Sequence, residues 1–187
     1  MDQTTTPEDV LGFWLDAGPQ AWFRKDAAFD EAIRHRFEAL HMAASRGELN
    51  GWAGTAEGAL ALLIVIDQFP RNMYRGSAHA FAADPLALAV AEASVEAGLD
   101  HEVGPELRSF FYMPFEHSER LADQDRAVAL FRAYADATGD PHRYLHWAKL
   151  HRDIIRRFGR FPHRNLCLGR ASTQEEQAFL EEGGFSG

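Results

Sequence analysis

The sequence predicts an all-α protein, and three observations carry that prediction. Every segment with a regular apolar pattern repeats at steps of three and four, and no run alternates with period two between hairpin-type turns. Ala59 to Ile66 is apolar throughout, and a helix that is apolar on every side is a buried helix. Helix start and stop signals recur along the whole chain with short loops between them, which implies about eight helices packed as antiparallel pairs.

Taken in order, Thr6-Pro7-Glu8-Asp9 starts the first helix: an N-cap, a proline in the first turn, then acids at the positive end of the dipole. It stops before Gly18-Pro19, and Ala21 to Arg24 reads as a short aromatic connector. Asp26 caps a second helix whose apolar stripe is Phe29, Ile33, Phe37, Leu40 and Ala44, ending at Gly47. Thr55 caps the buried helix, which turns polar at Asp67-Gln68 and is expected to break at Phe69-Pro70, because a residue before proline disfavours helical geometry. Short helices follow from Ser77 and from Asp84-Pro85. Pro105 opens another, stopped by Met113-Pro114, and Phe115 to Glu119 leads into a long helix to about Asp136. Asp140-Pro141 starts the next, closed by Gly159, and the capping-box pattern at Ser172 to Glu176 starts the last, closed by Gly183-Gly184.

The length of 187 residues suits a single domain, 1–187. The net charge of −9 argues against a general nucleic-acid binder or an anionic-membrane binder. The charge is uneven: residues 151–170 hold six arginines against the one acid Asp153, so that stretch is +5 and the remainder −14. Such a segment suits either a small anionic ligand or ion pairs with the chain's own acids. The lone Cys167 allows no internal disulfide and fits a reducing cytosol. The N-terminal residues lack a secretory pattern, and the apolar run at Ala59 is too short to span a bilayer, so a cytoplasmic protein off the membrane is expected.

Candidate chemistry lies in four polar knots. Asp67 in the last turn of a buried helix needs a partner, and Arg71 four residues on is either its counter-ion or an anion clamp. Glu116 and His117 form a possible acid–base pair, with His117 and Gln124 on one otherwise apolar stripe. His151 is the polar member of the stripe Tyr144, Trp147, Ala148, Ile154, Ile155 and Phe158. Arg160, His163 and Arg164 crowd the loop after that helix and are either ligand contacts or pins to neighbouring acids. His117, His151, His163, Glu116 and Asp67 have donor atoms that suit a metal, which keeps a metalloprotein as a third reading. But the chain has no H-E-x-x-H motif, paired cysteines, calcium loop, glycine-rich phosphate loop or nucleophile elbow, so no metal and no cofactor is expected.

These knots also carry a resemblance. WFRKDAAFD, GELNGW, DQFPRNMYRG, AFAADPLAL, FFYMPFEHSE and HRDIIRRFGRFPHRN with LGRAST resemble the bacterial "domain of unknown function 924" family over nearly the whole chain. The resemblance implies an all-helical, tetratricopeptide-like fold and brings with it no reaction and no catalytic residues. Two functional expectations stand together. One is an interior polar pocket for a small anionic molecule, with Glu116, His117 and His151 moving protons in a hydrolase or other acid–base enzyme, and Asp67, Arg71, Arg160, His163 and Arg164 binding the ligand. The other, by analogy with tetratricopeptide-like folds, is a scaffold for a peptide or protein partner.

Overall fold

Thr6 opens the first helix, α1 (Pro7–Ala17), by exchanging side-chain hydrogen bonds with Asp9, and Pro7 fills the first turn. The computed structural model describes residues 5–140 and 144–186, and all regular structure among them is helical. Its contacts divide the chain into two units, Met1–Arg75 with His79–Pro114, and Gly76–Ala78 with Phe115–Gly187.

In the first unit, α2 (Pro19–Trp22) is one turn of helix where an aromatic connector was expected. Asp26 caps α3 (Ala27–Ser45) by accepting from the N–H groups of Ala28 and Phe29. Thr55 caps α4 (Ala56–Leu63), the central helix, against which α1 and α6 (Asp84–Glu96) pack. Gly58 lets the 3₁₀ turn Asn50–Gly54 cross it closely, since a Cβ there would lie 2.1 Å from the Trp52 carbonyl oxygen. Trp14, Phe37, Phe69 and Phe110 fill the interior, with Phe37 stacked on Phe69 at 4.8 Å and Trp14 edge-on to Phe69 and Phe110.

The expected break at Phe69-Pro70 does not occur. The helix widens into a π-helical turn (Ile64–Gln68) and continues as α5 (Phe69–Met73). The reason is a missing donor. Pro70 has no N–H, and its ring would clash with a carbonyl of the preceding turn in an ordinary α-helix. The Phe69 N–H reaches back to the Ile64 carbonyl, and the Val65 carbonyl accepts instead from His41 Nδ1 on α3, at 2.9 Å. A distant histidine thus supplies the hydrogen bond that the proline withholds.

Pro114 is likewise inside a helix, α7 (Pro105–His117), rather than at its end. Glu116 and His117 therefore close α7 and do not open the long helix, α8 (Leu121–Thr138), so His117 and Gln124 do not share a helical stripe.

In the second unit α8 packs along α9 (Leu145–Phe158), and each ends on a glycine with positive φ, Gly139 and Gly159. The start predicted at Pro141 lies outside the described residues. A 3₁₀ turn, Pro162–Arg164, follows α9, and Thr173 with Glu176 forms the predicted capping box of α10 (Gln174–Glu181). Phe115, Phe131, Ile154, Ile155 and Phe161 are core residues. No helix among the described residues is long and apolar enough to cross a membrane.

His41→Leu keeps an apolar body but leaves the Val65 carbonyl buried without its donor. The variant is expected to lose about 1–3 kcal/mol. Urea unfolding should show a lower midpoint at unchanged slope.

Candidate active site

Within the first unit, Asp67 sits in the π-helical turn at 1% exposure, held by Gln68 Nε2 at 2.6 Å and by Arg71 at 3.2 Å. Arg71 also grips both carboxylate oxygens of Asp84, at 3.0 and 3.2 Å, and donates to the Asp67 carbonyl. Burial works to lower the Arg71 pKa, but the Asp67 and Asp84 carboxylates outweigh it and hold the group above its ordinary value. The pair reads as a neutralised helix end. Arg34 on the Met73 carbonyl, and Asn72 and Arg75 on Asp30, complete that end.

The other candidate residues are in the second unit, where α7 and α9 bring Glu116 and His151 together. Glu116 Oε1 lies 2.6 Å from His151 Nδ1, with the side chains 7% and 11% exposed. The oxygen sits off the line of the ring N–H, so the contact is close without being a straight hydrogen bond. His151 Nε2 is buried and has no hydrogen-bond partner among the described residues. Sequence neighbours suggested Glu116 with His117; the structure pairs Glu116 with His151. Gln124 explains itself differently from expectation: its amide donates to the carbonyls of Glu116 and Ser118, at 2.7 and 2.6 Å, and so fixes the end of α7. Arg164, buried and stacked at 4.4 Å on Phe161, donates to the His117 carbonyl at 3.0 Å.

The loop after α9 is pinned by charges. Arg170 holds both oxygens of Glu119, at 2.6 and 2.9 Å, and Glu119 accepts from the Phe161 N–H. Arg160 holds both oxygens of Glu176, at 2.6 and 2.8 Å, and Asn165 joins the two pairs. Hydrogen bonding from Arg160 holds the Glu176 carboxyl down at about 2. Arg160 is thus engaged by an acid of its own chain. The sequence marks Glu176 as part of a capping box and Arg170 as one of the clustered arginines, without showing that they pin this loop.

His163 packs against Phe161, with its Nδ1 buried and unpartnered among the described residues. Burial, with the nearby Arg164 and His151, pushes its pKa down to about 3, so its ring is neutral at ordinary pH. The cluster is therefore a carboxylate and two imidazoles close to a guanidinium, lined by aromatic rings. It has the parts for proton transfer. Among the described residues no group of three or more His, Cys, Asp or Glu side chains is arranged to hold a metal ion.

Comparison with known proteins decides the family. The family described as "Bacterial protein of unknown function (DUF924)" matches residues 10–184. The chain belongs to this family. A solved structure, described as that of a protein of unknown function from Agrobacterium tumefaciens, is 50% identical, with a TM-score of 0.89 over 95% of this chain and 97% of that one. No curated protein matches. Membership in the DUF924 family brings a fold and no reaction, so the chemistry must be argued from the side chains.

The depressed His163 pKa gives a pH dependence. Below about 6.5 the unfolded chain binds a proton at this ring that the folded chain does not take up until about pH 3, so stability falls as pH falls. The slope from this group approaches about 1.4 kcal/mol per pH unit. His163→Gln should flatten the fall in unfolding free energy between about pH 6.5 and about pH 5, above the range where carboxylates titrate. His41, also held low by burial, leaves a residual slope of the same sign.

Proposed function

We propose that the protein is an acid–base enzyme acting on a small anionic substrate, with hydrolysis as its reaction type. The observation that carries the reading is the Glu116–His151 contact at 2.6 Å, with Nε2 left without a partner among the described residues. A carboxylate at one imidazole nitrogen sets the tautomer: the proton stays on Nδ1, and the Nε2 lone pair faces the reaction. In the proposed step His151 Nε2 takes a proton from water as the water oxygen bonds to an acyl or phosphoryl centre. Glu116 faces the imidazolium so formed. The proton then passes from Nε2 to the departing oxygen as its bond breaks, and His151 returns to its neutral form. Arg164, whose charge acts on the neighbouring His163 ring, supports an anionic substrate. His163, neutral at ordinary pH, adds no charge that would repel a cationic His151.

A thermal-shift screen of the full chain against phosphorylated and carboxylated metabolites identifies a ligand, because a compound that binds only the folded state raises its melting temperature. With that compound, His151→Asn and Glu116→Gln should lower kcat by about 10²–10⁴-fold while leaving the protein folded. Full turnover by a folded His151→Asn variant removes the assignment.

A further inference from the structure

The segment after α10 turns back on itself. Gly183 has φ 84°, its N–H bonds to the Leu180 carbonyl, and the Gly184 N–H bonds to the Phe179 carbonyl. This six-to-one and five-to-two pairing is a Schellman motif. Gly184 cannot carry a side chain there, because a Cβ would lie 2.4 Å from the Phe179 carbonyl oxygen. The reversal delivers Phe185 onto the acid–base cluster. Its ring centroid lies 4.5 Å from His151, 5.2 Å from His163 and 6.4 Å from Trp147, edge-on to the two imidazoles. It also packs against Ile154, Ile155 and Phe161.

Phe185 fills this space without completing it. His151, nine-tenths buried, keeps Nε2 without a partner among the described residues, and so does His163 at Nδ1. A hydrocarbon ring has no atom that can satisfy either nitrogen. Buried polar atoms left so cost free energy until a partner arrives. A ring of the same shape bearing a carboxylate would keep the edge-to-face contacts and bring an acceptor to the Nδ1–H that the neutral His163 ring can carry. A negative charge on those oxygens would suit the neighbouring Arg164.

We propose that the slot filled by the Phe185 ring is a subsite for a planar aromatic carboxylate, with Phe185 as its displaceable occupant. This names the substrate class for the site and rests on the acid–base reading given above. The ligand's ring takes the place of the phenyl group, and the segment beyond the Gly183–Gly184 turn swings out.

Benzoate is the probe, with acetate as the same anion lacking the ring, and the full-length chain is compared as wild type, Phe185→Ala and Phe185→Leu. Binding is read from the ring C–H signals of His151 and His163 in NMR titrations. Removing the resident ring should tighten benzoate binding about tenfold in Phe185→Ala. Phe185→Leu should fall between that variant and wild type, both histidine signals should move, and acetate should bind far more weakly to all three proteins. The proposal is overturned if benzoate binds neither variant more tightly than wild type, or if acetate matches it. Should Phe185→Ala fail to fold, the leucine variant decides on the same criterion. Failure here leaves the acid–base assignment standing, because that assignment falls only on the turnover of His151→Asn.

Discussion

Pro70 stands in a helix that is buried on every side, and it has no hydrogen to donate. Water cannot repair the deficit, since every residue from Ala59 to Pro70 is buried. The first unit is arranged to meet it from α3. His41 takes the Val65 carbonyl, Arg34 takes the Met73 carbonyl, and Asp30 receives Asn72 and Arg75. The same π-helical turn rotates Asp67 and Gln68 into the interior, where Arg71 and Asp84 balance the charge. One proline thus accounts for a widened helix, an interior carboxylate and a chain of polar contacts along α3 and α5.

The second unit solves a parallel problem at the end of α7. Its last carbonyls need donors, and Gln124 and Arg164 supply them from α8 and from the turn after α9. Those bonds fix the backbone at Glu116 and His117, which fixes where the Glu116 carboxylate points. The pairs Glu119–Arg170 and Glu176–Arg160 then set the loop that carries Phe161 and His163. Positioning of the two imidazoles is therefore a product of capping and loop pinning, with the carboxylate arriving from one helix and His151 from another.

What the sequence showed and what it hid divide along the range of the interactions. Caps at Thr6, Asp26, Thr55 and Thr173 act within three residues, so their side chains announce them, and the helices they start were readable. The break at Phe69-Pro70 was misread because its repair comes from another helix: His41 lies 24 residues before Val65. His151 was readable as the polar member of an apolar stripe. Its partner was not. Glu116 and His117 are adjacent, and adjacent residues on an α-helix point about 100° apart, so proximity in sequence argues against a shared contact. The arginine-rich segment showed its charge but not its counter-ions. Arg157 meets Glu175, Arg160 meets Glu176 and Arg170 meets Glu119, so much of that charge is spent on the loop.

Two histidines make the functional argument by contrast. His41 and His151 are both withdrawn from water, at 4% and 8% exposure. His41 has one ring nitrogen bound to a backbone carbonyl that nothing nearer in sequence satisfies, and that bond is reason enough for its presence. His151 has a carboxylate at one nitrogen and no partner among the described residues at the other. An unpartnered nitrogen alone is a weak mark of function, since Trp14 Nε1 shares it. Indole cannot take up a proton near neutral pH, and among the described residues no hydrogen-bonding carboxylate is set against Trp14 Nε1. An imidazole with an acid at its back and an unpartnered nitrogen can accept a proton and return it. The fold ties one buried histidine to a backbone carbonyl and sets the other against a carboxylate with its second nitrogen unpartnered among the described residues, and the proposed chemistry rests on that difference.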